Sequence, residues 1–355
     1  MDLGLLIPPV ADSWKTIKRA EELGFTRAWF YDTQMLNTEV FVAMTAAALH
    51  TSRIRLATGV LIPSNRIAPV AASGLASLNA LAPGRIDFGI STGFTARRTL
   101  GLGAVRQRDL EEYIRVVQGL LEGETVNWGD AGEVRKIRFL DADIGAINIK
   151  DRIPLHIAAT GGRGRRLVAR LGAGWLASVA GVPYGQASIA DMQTAWREAG
   201  RDSAALYASA AISGCVLRPG EAYDSPRVKA ETGAHATMIL HAMIEQGEYG
   251  APPRQPLPAH LQPILERYRE MYQHYVPEDA RYLSNHRGHL MYLRPEEHEL
   301  CTAELIRATT WTAPPEELRE RLQQLTAAGY SHIAINFGLG TFERLEQWAE
   351  LFSSV

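Results

Sequence analysis

Four short stretches carry residue types that could do chemistry. In Thr160-Gly161-Gly162-Arg163-Gly164-Arg165-Arg166, glycines and guanidinium groups meet at the expected start of a helix. Unclaimed N–H groups and the helix dipole favour an anion there, and arginine adds charge-assisted hydrogen bonds, so Gly161 to Gly164 form a candidate phosphate turn. The lysine of a Walker loop and the spacing of a dinucleotide fingerprint are both missing. In Gly89-Ile90-Ser91-Thr92-Gly93 the glycines let backbone bend or approach a ligand, and Ser91 and Thr92 supply hydroxyls. An ordinary turn is the alternative there. Asp32, just after Ala28-Trp29-Phe30-Tyr31, is a candidate proton-transfer group or else a residue that orients its turn. Asn285-His286-Arg287-Gly288-His289 has the histidine density of a site, so His286 and His289 are candidates to touch a substrate, against a structural or solvated role. No third ligand is spaced nearby for a metal.

The elements that must position these residues alternate. Leu3–Ile7, Ala28–Tyr31, Ile54–Ile62, Arg85–Ile90, Leu155–Ala159, Gly174–Val179, Ala208–Leu217 and Ile333–Phe337 read as strands. Their near-continuous apolar character is that of a parallel sheet covered on both faces. Trp14 to Leu23 after the cap Ser13, Thr38 to Leu49, Pro69 to Leu81, Glu111 to Leu121 and a segment ending at Leu171 read as helices, and Thr341 opens a terminal one. Glu124 to Arg152 reads as an inserted hairpin and long loop. Eight such units predict a single (β/α)8 barrel, with candidate residues at the carboxyl ends of its strands. An open doubly wound sheet lacks its glycine fingerprint after the first strand. Residues 223–300, punctuated by proline and holding most of the ten histidines, read as a helical insertion or lid between strands seven and eight, with helices at 234–245 and 261–275. Trp29, Phe30, Tyr31 and Trp175 read as barrel packing.

The chain has 355 residues, 46% hydrophobic and 21% charged, with a net charge of −2. That is an ordinary globular composition, with no basic surface to suggest nucleic acid and no apolar run long enough to span a membrane. Cys215 and Cys301 are far apart, and the amino terminus reads as a strand rather than a signal peptide, so a reducing, cytoplasmic setting is expected.

Ala57-Thr58-Gly59-Val60-Leu61-Ile62-Pro63, Gly84-Arg85-Ile86-Asp87-Phe88-Gly89-Ile90 and Gly172-Ala173-Gly174-Trp175-Leu176 together resemble the bacterial luciferase-like superfamily. That superfamily includes flavin-dependent monooxygenases and deazaflavin-dependent methylenetetrahydromethanopterin reductases. The resemblance covers roughly residues 1–217 and 302–350. It implies a barrel whose mouth holds reduced FMN or the deazaflavin F420. It places a bulge or non-prolyl cis peptide at Thr58-Gly59-Val60, beneath the cofactor ring, with Ser91-Thr92-Gly93 facing the same mouth and the cofactor phosphate at Gly161 to Gly164. Where some luciferases have arginine this chain has Thr92, and Arg97 or Arg98 is the expected substitute. Deazaflavin-dependent dehydrogenases of the superfamily place a histidine after the second strand's aspartate, but here Asp32 is followed by Thr33-Gln34. The resemblance implies, first, a two-component monooxygenase that takes reduced FMN from a separate flavin reductase and uses dioxygen on a small organic substrate. Hydride transfer with F420 and no oxygen is the competing reading, and a non-catalytic flavin-binding protein is the reading from another class. It also implies a homodimer, through Val40–Leu49 and Pro69–Leu81.

Overall fold

The computed structural model describes residues 1–130, 132–246 and 257–353. In chain order its strands are β1 (Asp2–Ile7), β2 (Arg27–Phe30), β3 (Arg55–Thr58), β4 (Ile86–Ile90), β5 (Val126–Asp130), β6 (Glu133–Ile137), β7 (Leu155–Ala158), β8 (Gly174–Ser178), β9 (Ala208–Ile212) and β10 (His332–Asn336). Eight of them close a parallel barrel in the order β1-β10-β9-β8-β7-β4-β3-β2, while β5 and β6 form a separate antiparallel hairpin within the expected insertion of residues 124–152. The (β/α)8 barrel is therefore present. Closure leaves its strands without an exposed edge.

Helices wrap this barrel because each turns one apolar stripe inward. Ile17, Met44, Leu75, Ile114, Val168, Met192, Leu322 and Trp348, one from each of eight helices, join strand residues such as Leu5, Leu56 and Ile157 in one apolar layer. The barrel interior holds a second, smaller cluster of Leu6, Trp29, Tyr31, Ala57, Leu176 and Ala334. Register brings the strand ends level: Ile7 lies opposite Phe30, and Phe30 opposite Thr58. The segments after β2, β3 and β4 consequently meet at one mouth.

Several boundaries shift. Strand β3 stops at Thr58, not Ile62, and the Gly59–Val60 peptide that follows it is cis. Strand β9 stops at Ile212 rather than Leu217; beyond it the Ser213 carbonyl accepts from the Trp311 N–H at 2.7 Å, and a Cβ at Gly214 would lie 2.6 Å from the Trp311 carbonyl carbon. The segment between β4 and the helix at Gln107–Leu121 contains a short helix, Thr95–Arg98. Asp12, not Ser13, is the N-cap of the first helix, and the Ser13 hydroxyl instead accepts from the Val10 N–H at 2.8 Å. Helices Val182–Glu198 and Pro315–Ala328, absent from the sequence reading, complete the alternation.

The insertion is helical in its described residues, with Pro226–Ile244, Gln262–Gln273 and Arg281–Asn285 in place of the two expected helices; residues 247–256 lie outside the description. It has an apolar cluster of its own, including Val228, Leu240, Leu261, Leu265, Tyr268 and Leu293, continuous with Leu305 and Ile306. Leu290 packs against the barrel-interior cluster, so the insertion reaches the mouth.

Candidate active site

A cavity of about 380 Å³ opens at the carboxyl ends of the strands. Its floor comes from Tyr31 and Asp32 after β2, Gly59 and Val60 after β3, and Ser91, Thr92 and Gly93 after β4. Ala158 and Ser178 close the far side, Phe94 stands in the wall, and Met238, His289 and Leu290 come down from the insertion. Size and mainly apolar lining with a few polar groups are those of a small-molecule or cofactor site.

The expected residues divide sharply. Gly59, Val60, Ser91, Thr92 and Gly93 line the cavity as expected. Thr58 does not: it is fully buried, and its hydroxyl donates to the Gly89 carbonyl at 2.7 Å and accepts from the Gly89 N–H at 3.0 Å. Gly89 is required by this close approach, since a Cβ there would lie 2.0 Å from the Thr58 carbonyl oxygen. Ser91 donates to the Ala158 carbonyl at 2.9 Å, tying the loop across to β7. Gly93 takes φ +82°, a conformation that favours glycine.

Asp32 lines the cavity, but its Oδ2 is engaged twice. It accepts from the Ile62 N–H at 3.1 Å and pairs with Arg66 at 2.9 Å. This is the turn-orienting alternative in geometric form. Arg97 does not stand in for an arginine at Thr92, because its Nε donates to the Gly103 carbonyl at 2.7 Å within its own loop. Arg98 is buried, with Nε 3.4 Å from Glu245 of the insertion.

The paired histidine candidates also separate. His286 is fully buried and lies outside the cavity wall, with Nε2 2.9 Å from Glu245. His289 is in the wall, its Nδ1 3.3 Å from Nδ1 of His241. His241 in turn places Nε2 2.5 Å from Glu297, which Arg294 holds at 2.6 Å. Sequence reasoning missed His241, Glu297, Met238 and Phe94. The one available signal was spacing: Met238 and His241 are three apart on one helix, so they share a face.

The phosphate turn sits on the rim rather than in the cavity wall. Gly161 is the extended N-cap of helix Gly162–Leu171, and no side chain caps it. A Cβ at Gly161 would meet nothing within 4 Å, so there is open space for a ligand to approach the first-turn N–H groups. Gly164 faces the other way: a Cβ there would lie 2.8 Å from the Ala159 Cβ. Arg165 is held by Asp191 at 2.8 Å. Arg163 lines a cleft of about 240 Å³ with Arg108, Arg166 and Arg170, where Glu111 is the single acid in the wall. An apolar cavity beside uncapped amides and arginines fits a planar ring system on an anionic tail.

The family model for luciferase-like monooxygenases matches residues 6–332. The chain belongs to that family. It is thus placed among the luciferase-like oxidoreductases. Among curated relatives, a 5,10-methylenetetrahydromethanopterin reductase of Archaeoglobus fulgidus is 26% identical over 91% of this chain and 89% of its own length. A second such reductase, from Methanolobus tindarius, is 30% identical over 52% of this chain, a match spanning 55% of that relative. Among solved structures, an F420-dependent secondary alcohol dehydrogenase in complex with an F420–acetone adduct matches with a TM-score of 0.70 at 16% identity, covering 100% of this chain and 98% of that one. The FMN-bound oxygenating constituent of 3,6-diketocamphane monooxygenase, from a Pseudomonas putida plasmid, matches with a TM-score of 0.64 at 14% identity, covering 99% and 97%. This luciferase-like barrel contains the non-prolyl cis peptide at Gly59–Val60 that the resemblance implied. The described residues include no helix long and apolar enough to cross a membrane, and no group of three residues placed to hold a metal.

Proposed function

We propose that this luciferase-like protein is an F420-dependent oxidoreductase acting on a small organic molecule bound in the mouth cavity. The observation that carries the choice of F420 is the arginine cleft beside the phosphate turn. FMN ends at its phosphate, whereas F420 continues beyond it into a carboxylate-bearing tail. Arg108, Arg163, Arg166 and Arg170 line that cleft and supply positive charge where only the longer molecule has something to meet, with Asp109 pairing with Arg108 at 3.2 Å. Glu111 answers one of them, pairing with Arg170 at 2.6 Å. The F420-dependent relatives support the same choice.

In this reading Gly161, Gly162 and Arg163 hold the phosphate, and Gly59, Val60 and Ser91 to Gly93 support the ring. When bound, F420 supplies a site that accepts or gives a hydride. The chain's own residues do the rest. Val60, Ile62, Phe94 and Leu290 exclude water, Ser91 fixes its loop to β7, and Asp32 with Arg66 holds the turns after β2 and β3 together. The reduced-FMN monooxygenase that the sequence put first is the other outcome of the test.

That test is an anaerobic titration of the purified protein with reduced F420 and, separately, reduced FMN. Tighter binding of F420 is expected. Arg163→Ala should weaken it roughly ten- to a hundredfold, the loss of one charge-assisted hydrogen bond at about 1.5–3 kcal/mol. Arg166→Ala should weaken F420 more than FMN, because Arg166 is assigned to the tail. Equal or tighter FMN binding, with product formed only when dioxygen is admitted, would overturn the F420 reading in favour of the monooxygenase.

A further inference from the structure

The family resemblance expects a histidine after β2, where this chain has Thr33-Gln34. We infer that the insertion supplies the missing proton-transfer group from the opposite side of the cavity: His289 presents Nε2 as a proton acceptor, and His241 and Glu297 behind it act as positioning residues that fix its tautomer.

The order of hydrogen bonds follows from chemistry, starting at the buried end. Glu297 is 1% exposed and Arg294 2% exposed, and the pair meets at 2.6 Å. Burial pushes the Glu297 carboxyl up, but His241 and Arg294 pull it down to about 2, so it is ionised. A carboxylate only accepts, so the 2.5 Å contact requires the proton of His241 to sit on Nε2. Burial holds His241 below the usual histidine range, so the ring is neutral and its Nδ1 carries a lone pair. The 3.3 Å contact between the two Nδ1 atoms then requires the proton of His289 to be on its Nδ1. What remains for the cavity is the lone pair on Nε2 of His289. Each step is forced by the one behind it.

Surroundings keep this acceptor ready. Burial, then the neighbouring His286, His241, His235 and Arg294, hold His289 well below the usual histidine range, so it rests neutral. Glu245 faces His286 from the long helix at 2.9 Å, and Arg98 approaches Glu245 from the loop after β4. The Phe94 ring covers the other side, its centroid 6.0 Å from that of His289. When a ligand O–H meets Nε2, the proton moves to the nitrogen and the bonding electron pair stays on the ligand oxygen. The imidazolium so formed keeps its Nδ1–H on His241, whose Nε2–H lies on the Glu297 carboxylate, so the new positive charge is balanced through two rings. The reverse transfer makes His289 an acid. The ligand class is a substrate hydroxyl or its conjugate carbonyl. That assignment rests on the oxidoreductase reading above; the tautomer order does not.

Nitrogen-15 NMR of the full chain with labelled histidine, assigned through His289→Gln and His241→Gln, tests the order without any cofactor. His289 should be protonated on Nδ1 with a lone pair on Nε2, and His241 on Nε2; a proton on Nε2 of His289 would overturn the proposal. Glu297→Gln removes the charge that fixes the order, so the Nε2 lone-pair signal of His289 should become fractional; an unchanged signal counts against Glu297 as a positioning residue. In turnover with the cofactor that binds, His289→Gln should lower kcat by about 10²- to 10⁴-fold with cofactor affinity kept. His241→Gln should lower it less and move the limb of the pH profile. An unchanged kcat in His289→Gln overturns the role even if the tautomers are as stated. Failure of wild-type protein to bind reduced F420 sinks the reading of the cofactor instead, and leaves the NMR result to decide the relay.

Discussion

Two buried polar clusters sit at opposite ends of this molecule and are built from the same parts. At the amino-terminal end of the barrel, Asp87 meets Arg27 at 2.7 Å and Arg55 at 2.6 Å, with His156 3.9 Å away and Tyr207 beyond Arg27. In the insertion, Glu297 meets Arg294 and His241, with Tyr268 beyond Arg294. Each has a carboxylate, arginine, histidine and tyrosine. The difference is where the histidines lead. Neither ring nitrogen of His156 comes within hydrogen-bond distance of an acceptor or donor, Nε2 standing 3.9 Å from Asp87, whereas His241 passes one hydrogen bond on to a residue in the cavity wall. Composition therefore does not separate a structural cluster from a chemical one. A lone pair that reaches a cavity does.

The largest effect should come from breaking the barrel cluster. Burial pushes the Asp87 carboxyl up, but His156, Arg27 and Arg55 hold it well below the usual range, so its charge is fully developed. Asp87→Ala leaves Arg27, a buried residue, without its carboxylate, and should cost about 3–5 kcal/mol in denaturant unfolding. Cofactor affinity of the folded fraction should stay within a few-fold. A selective loss of affinity with little loss of stability would break the comparison.

The barrel cluster also shows what was legible beforehand. Short apolar runs between helical patterns marked all eight barrel strands, because a parallel strand buried on both faces is near-continuously apolar and bounded by turn residues. Gly93 was legible because backbone without a Cβ beside a strand end can bend or approach a ligand, Ser91 because its hydroxyl stands between Gly89 and Gly93, and Gly59 through the family resemblance. The relay was not. His241 and Glu297 are 56 residues apart, and only the packing of Pro226–Ile244 against the segment after Leu293 brings them together. Thr58 and Arg97 misled for the opposite reason. Both stand beside the mouth in sequence, but their hydrogen bonds turn them into the backbone.

A smaller effect depends on pH. His235, beside the relay, is 5% exposed, and burial followed by the charge of Arg344 pushes it down to about 3. In the unfolded chain it titrates near 6.5. The unfolded state therefore binds the extra proton between those values. Stability from His235 is fully present above pH 6.5 and is lost as pH falls toward 3. From pH 7 to pH 5 this one residue should remove about 2 kcal/mol. His235→Leu should reduce the fall in unfolding free energy between those two pH values by that amount. An identical fall in both proteins would show that His235 is not held neutral.

The smallest effects compare one hydroxyl from each cluster. Tyr207 accepts from Arg27 and is half-buried at the edge of a cavity near the barrel floor, so water can replace its hydroxyl. Tyr207→Phe should cost about 0.5–1 kcal/mol, the range for a bond whose partner keeps other acceptors. Tyr268 is fully buried; its hydroxyl accepts from Arg294 at 3.1 Å and donates to Asn285 at 2.5 Å. Water has no access there, and Tyr268→Phe leaves a guanidinium N–H and an amide oxygen unanswered. That should cost about 1.5–3 kcal/mol. The two variants differ in a second way. Arg294, with His241, keeps Glu297 ionised, and Glu297 sets the proton on His241. Freed of one acceptor, Arg294 bears more heavily on Glu297, so Tyr268→Phe should shift the nitrogen-15 signals of His241 and His289. Tyr207→Phe should leave both where they are. Equal costs and silent histidine signals in both variants would mean that the two clusters are alike after all, each holding its end of the fold together and neither serving the cavity.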